Sequence, residues 1–229
     1  LIASIGQYIY LYNDNEIYVN LYTGSNAGFV INGKNIVISQ ETDYPWEGKV
    51  KFDLKCNQPH HFTIALRIPA WCREPGLTVN GEDIDIKQVN QEGYALIDRE
   101  WKTGDSLELQ LPMKVEKLIS NPKVRENAGK IALQRGPVVY CLEEEDNGPN
   151  LHNLFLDPAT ELKAEFDQGL FNGIAVVKGE AFRIIGDDWE DELYKPLSLK
   201  KKKVRIKAIP YYAWNNRSIG EMLVWIKKL

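Results

Sequence analysis

The chain has 229 residues, of which 44% are hydrophobic and 10% aromatic, and it carries a formal charge of −4. That is enough apolar material for one large β domain or two smaller ones, and too much for a disordered chain. The acidic balance argues against a general affinity for nucleic acid or anionic membrane, and no apolar run approaches the roughly 20 residues that span a bilayer.

The chain opens on LIASIGQYIY, with no initiator Met and no basic leader, so it is expected to be a piece of a longer protein. Apolar residues at 1, 2, 5, 8 and 9 have the spacing of an amphipathic helix, broken by Asn13-Asp14-Asn15. A lone helix of this length is marginal in water, which predicts that residues 1–15 pack on something that precedes them.

From Glu16 the period changes to two. IYVNLYTG alternates, and FVINGKNIVISQET carries Asn32-Gly33 between two apolar runs, the strongest short hairpin signal. Val50, Phe52 and Leu54 alternate next. FTIALRIPAWC then places Phe62, Ile64, Leu66 and Ile68 on one face of a strand that Pro69 ends. LTVNGEDIDI repeats the hairpin device with Asn80-Gly81. Strands at Tyr94–Asp98 and Ser106–Leu111 follow, divided by a turn over Trp101–Asp105. Regularly spaced short strands with turn punctuation predict an antiparallel β-sandwich of immunoglobulin-like or jelly-roll type.

Beyond Lys117 a second group of strands reads at Lys130–Arg135, Val138–Leu142, Leu154–Leu156, Leu162–Phe166, Ile174–Val177 and Ala181–Ile185. It predicts a second, smaller sandwich. The final segment alternates again from Val204 and turns at Asn215-Asn216-Arg217 into Met222–Ile226, a hairpin that suits either sheet. The acidic runs Glu143–Asp146 and Asp187–Glu192 and the basic run Lys200–Lys203 read as solvated surface. The acidic runs lack the ligand spacing and glycine of a calcium loop.

Cys56, Cys72 and Cys141 are widely spaced, with no CxxC, and His60, His61 and His152 show no zinc-ligand pattern. They read as buried thiols of a reducing, cytoplasmic compartment, with a Cys56–Cys72 bridge as the alternative.

Five stretches, LIASIGQYIY, IYVNLYTGS, FTIALRIPAWC followed by LTVNGE, IALQRGPVVYCLE and IPYYAWNNRSIGEMLVWI, cover nearly the whole chain in order. Together they resemble the C-terminal part of glycoside hydrolase family 127, bacterial retaining β-L-arabinofuranosidases. The resemblance implies an all-β chain of two sandwiches that follow a helical (α/α)6 barrel, the second inserted before a last hairpin returns to the first. Its domains are then 1–15, the last helix of the barrel; 16–117 plus 204–229, the first sandwich; and 118–203, the inserted one. In the family the nucleophile is a zinc-bound cysteine of the barrel, so the resemblance carries no catalytic or metal-binding residue onto this chain and implies zinc only in the barrel. The implied partner is that barrel, in the same protein, with carbohydrate and a second copy as further candidates; nucleic acid and membrane are not expected. The six tryptophans are expected mainly in cores and domain contacts. Trp46, Tyr211, Tyr212 and Trp214 are the candidates for a sugar or inter-domain contact.

Overall fold

The computed structural model describes residues 2–185, 193–194, 196 and 200–229. It is mostly β and divides into two compact units, Leu1–Met113 and Lys114–Leu229, each with its own core.

In the first unit the strands are β1 (Tyr10–Tyr12), β2 (Glu16–Val19), β3 (Ser25–Ile31), β4 (Lys34–Thr42), β5 (Lys49–Cys56), β6 (His60–Arg67), β7 (Gly76–Val79) and β8 (Glu82–Asp83). A single helical turn, α1 (Ile86–Val89), precedes β9 (Asn90–Gln91), β10 (Tyr94–Trp101) and β11 (Ser106–Gln110). They form two sheets, in the orders β1-β2-β6-β10-β9 and β3-β4-β5-β11-β7-β8. Ile17, Ile64 and Leu66 of the first sheet share one core with Ile38, Phe52 and Leu107 of the second, which makes the unit a sandwich.

The alternation of FTIALRIPAWC places β6 at the middle of its sheet, parallel to β2 and antiparallel to β10. Phe62, Ile64 and Leu66 are buried, each such side chain stabilising the fold by about 1.5–3 kcal/mol. Trp101, fully buried, tilts against Phe62 and donates its indole N–H to the Phe62 carbonyl at 2.9 Å. Asn32-Gly33 and Asn80-Gly81 take positive φ (48° and 75°; 53° and 83°), as type I′ hairpin turns require. Glu92-Gly93 makes a third turn of this kind, with φ of 51° and 86°. Glutamate at a left-handed position gives no hairpin signal in the sequence, so this turn was not expected there.

The expected N-terminal amphipathic helix is not what forms. Residues Ile2–Tyr8 wind as a 3-10 helix, and Tyr10–Tyr12 pair with β2 as an edge strand. Aromatic contacts account for the change: Tyr10 and Tyr12 both meet Phe29 edge-on, at 5.4 and 5.3 Å, and the Tyr10 hydroxyl bonds Ser25 Oγ at 2.9 Å.

The second unit contains β12 (Val115–Leu118), β13 (Lys130–Arg135), β14 (Val138–Glu143), a helical turn α2 (Glu144–Asn147), β15 (Leu154–Leu156), β16 (Lys163–Asp167), β17 (Ile174–Ile185), β18 (Lys200–Pro210), β19 (Met222–Leu223) and β20 (Ile226–Lys228). Here two expectations are corrected. The unit is a closed barrel: β13, β20, β15, β17, β18 and β14 pair in that order, and β14 returns to β13. Residues 204–229 belong to it and do not return to the first sandwich, because β18 pairs with β17 and β14 while β20 runs between β13 and β15. Strand β12, assigned to the first sandwich, pairs with β13. Alternation specifies strands and faces but not which sheet a strand joins, and closing the ring leaves no open edge among its six members.

Ile174–Ile185 is one long strand, continuous through Lys178-Gly179-Glu180. The basic run Lys200–Lys203 is the exposed start of β18. The acidic run Asp187–Glu192 lies outside the described residues.

Candidate functional site

In the second unit, successive residues of β14 and β18 point to opposite faces. Tyr140, Leu142 and Ala208 enter one core cluster, whereas Cys141 and Ile209 join Ile174, Val176 and Ala213 in another. Ala213 belongs to the 3-10 turn Tyr211–Ala213 that follows Pro210 at the end of β18. This small side chain seats the turn on the strands and leaves its large neighbours outside. Tyr211, Tyr212 and Trp214 are 45%, 54% and 39% exposed. The Tyr211 and Trp214 rings lie nearly parallel, 20° between planes and 5.8 Å between centroids, an offset pair.

The loop after this pair is fastened by the acidic run, which is not the solvated surface that its composition suggests. Glu143 and Asp146 are nearly buried. The Arg217 guanidinium spans them, with Nε donating to Glu143 Oε2 at 3.0 Å and Nη2 to Asp146 Oδ2 at 2.5 Å. Glu143 Oε1 also accepts from the Asn215 backbone N–H at 3.2 Å. Backbone N–H groups of Ser218 and Glu221 donate to Glu145 and Glu144, at 3.0 and 2.9 Å. Thus four consecutive acidic side chains each hold part of residues 215–221. Lys207 of β18 completes the cluster, 2.5 Å from Asp146 Oδ1.

These contacts set the charge states. Burial pushes the Asp146 carboxyl up, but hydrogen bonds from Arg217 and Lys207 outweigh it and hold the pKa below the ordinary aspartate value. The Arg217 pKa is raised, first by its hydrogen bond to Asp146. Both acidic side chains are thus tied to the Arg217 guanidinium.

Trp46, the remaining sequence candidate, lies in the first unit within the turn between β4 and β5 and is 47% exposed. Beside it Tyr44 stacks with Trp71, at 6.5 Å and 23°. Of the four candidates, the structure thus groups Tyr211, Tyr212 and Trp214 on one turn. Sequence reasoning missed Glu143, Asp146 and Arg217. A lone arginine in a neutral loop and a distant acidic run were the only signals, separated by more than seventy residues.

The cysteines do not assemble into a site. All three are buried and none forms a disulfide, so the Cys56–Cys72 bridge is not made. Cys56 and Cys72 belong to the core of the first unit and Cys141 to the second. Burial pushes Cys56 up and Cys141 up to about 12, which keeps the Cys141 thiol protonated at neutral pH. Among the described residues no group of three His, Cys, Asp or Glu side chains is placed to hold a metal ion.

The same architecture is found in known proteins. The profile "Beta-L-arabinofuranosidase, GH127 middle domain" matches residues 16–113, and "Glycoside hydrolase family 127 C-terminal domain" matches residues 115–227. The chain belongs to glycoside hydrolase family 127. The family's two domain boundaries fall where the structure divides, between Met113 and Lys114. A non-reducing end beta-L-arabinofuranosidase of Bifidobacterium longum subsp. longum is 32% identical over the whole chain. The crystal structure of a GH127 beta-L-arabinofuranosidase from Geobacillus stearothermophilus T6 matches the whole chain with a TM-score of 0.97 and 50% identity. A further GH127 beta-arabinofuranosidase structure matches with a TM-score of 0.89 and 32% identity. The chain spans 36%, 36% and 37% of the lengths of these three relatives.

Proposed function

We propose that this chain is the non-catalytic β portion of a β-L-arabinofuranosidase-type glycoside hydrolase, supporting a helical barrel that carries out hydrolysis. The observation that carries this reading is the match of the whole chain, at a TM-score of 0.97, to about a third of such an enzyme. Retaining hydrolysis needs a nucleophile and an acid/base group flanking a sugar-sized pocket. Glu143 and Asp146 are spent on Arg217, and the Cys141 thiol is buried and protonated, which supports placing the chemistry elsewhere. In the first unit Ile5, Tyr8, Leu11 and Tyr12 all expose more than half of their surface, apolar area of the kind that packs against another domain. The zinc of the family is assigned to the barrel, and the buried thiols favour a reducing, cytoplasmic setting.

The purified chain is expected to release no aryl alcohol from an aryl β-L-arabinofuranoside and to carry no stoichiometric zinc by elemental analysis. Turnover above the blank overturns the proposal.

A further inference from the structure

Tyr211 and Trp214 are partly exposed on one turn, and the loop that follows them is held by buried ion pairs and hydrogen bonds. Ala213 seats the turn in the core, Glu143 and Asp146 fix Arg217, and Glu144 and Glu145 hold the far end of the loop. The aromatic pair is therefore presented in one geometry before any ligand arrives, which removes the ordering cost that a mobile loop incurs on binding.

The chemistry of the rim narrows the ligand. Among the described residues the Tyr211 hydroxyl and the Asn215 side-chain amide make no hydrogen bond, and each both donates and accepts. The Asn216 amide nitrogen donates to the Ala213 and Trp214 carbonyls, at 3.1 and 3.2 Å, leaving its side-chain oxygen as an acceptor. These are neutral groups that match hydroxyls. The neighbouring cation, Arg217, is neutralised by two carboxylates, and Glu144 and Glu145 lie under the same loop. A stacking surface of this charge disfavours a nucleotide, whose bases would stack but whose phosphates would meet acids. A chain of neutral sugars offers C–H faces for the rings and hydroxyls for the amides.

We infer that Tyr211, Trp214 and Asn215 form a carbohydrate-contact surface on the C-terminal unit, which holds a neutral oligosaccharide or polysaccharide. This rests on the glycoside hydrolase reading only for the choice of probe. Tyr211 and Trp214 supply the stacking faces and Asn215 the polar contact.

The test uses the full-length protein that contains this chain, run through native gels with and without soluble arabinan, beside Trp214→Ala, Tyr211→Ala and Trp214→Phe. Retardation by arabinan is expected to weaken about tenfold in each alanine variant and to persist in Trp214→Phe, which keeps an aromatic face. Thermal midpoints and turnover of an aryl arabinofuranoside are expected to stay at the parent values. Equal retardation of parent and alanine variants, or none in the parent, overturns the inference. So does a drop in aryl-glycoside turnover or thermal midpoint in both alanine variants, because the platform is then covered by another part of the protein. Retardation that depends on Trp214 in a protein without aryl-glycosidase activity upholds the sugar surface and refutes the arabinofuranosidase reading.

Discussion

Arg217 carries more consequence than its single charge suggests. It is flanked by Glu143 and Asp146, and removing it leaves Glu143 nearly buried without a cation and Asp146 with Lys207 alone. Breaking a buried ion pair from one side costs about 3–5 kcal/mol, so Arg217→Met is expected to lower the denaturation free energy by that order at pH 7. The sign with pH follows from Asp146. Its pKa is depressed in the folded chain, so its contribution is complete above the unfolded value near 3.9 and fades as pH falls through the lower folded value. The gap between parent and variant in urea titrations is therefore expected to close below about pH 4. Unchanged stability at pH 7 refutes the clamp. At this scale the sequence was partly legible. Tyr211, Tyr212 and Trp214 stand out as aromatics beside a turn signal, whereas the partnership of Arg217 with residues 143 and 146 depends on how β14 and β18 pair. No local pattern encodes that pairing.

Elements were legible where one face is buried and a turn has a strict backbone demand. The alternation through Phe62, Ile64 and Leu66 and the two Asn-Gly hairpins locate β6, β3–β4 and β7–β8. At the N-terminus the helical spacing of Ile5, Tyr8 and Ile9 suggests an α-helix where a 3-10 helix and an edge strand form, because the decisive contacts, Tyr10 and Tyr12 with Phe29, lie outside that period. Gly48 shows an element-level constraint invisible to periodicity. A Cβ there would sit 1.7 Å from the Leu111 carbonyl oxygen, and Leu111 N–H donates to the Gly48 carbonyl at 2.8 Å. Gly48→Ala must push the start of β5 away from the end of β11, and the expected loss is about 3 kcal/mol. Gly28→Ala, on β3 with nothing within 4 Å of its added methyl, is the control and is expected to change stability by less than about 1 kcal/mol. Thermal denaturation of the pair checks this, and equal midpoints for the two variants refute it.

For the whole molecule the consequential correction is the assignment of residues 204–229. Hydrophobic alternation in Val204–Pro210 is equally compatible with a sandwich edge and a barrel stave, and the order of strands around the ring is long-range information. The partition at 113/114 makes a sharp expectation. Residues 114–229 are expected to give a cooperatively melting β protein by circular dichroism, because they hold every member of the ring. Residues 118–203, which lack most of β18 together with β19 and β20, are expected to show no such transition. A folded 118–203 refutes the ring as the unit of stability.

The position of β20 also sets a timetable. Residues 226–228 lie between β13 and β15, strands that begin about a hundred and about seventy residues earlier in the chain. On a ribosome, which releases the chain from its N-terminal end, the sandwich of residues 10–110 is complete long before the ring can close. During synthesis of the intervening residues the Lys130-Ile131 end of β13 and one edge of β15 stay unpaired and open to other strands. The second unit is thus the slow and vulnerable part of biogenesis, even though its ring leaves no open edge among its six strands once made.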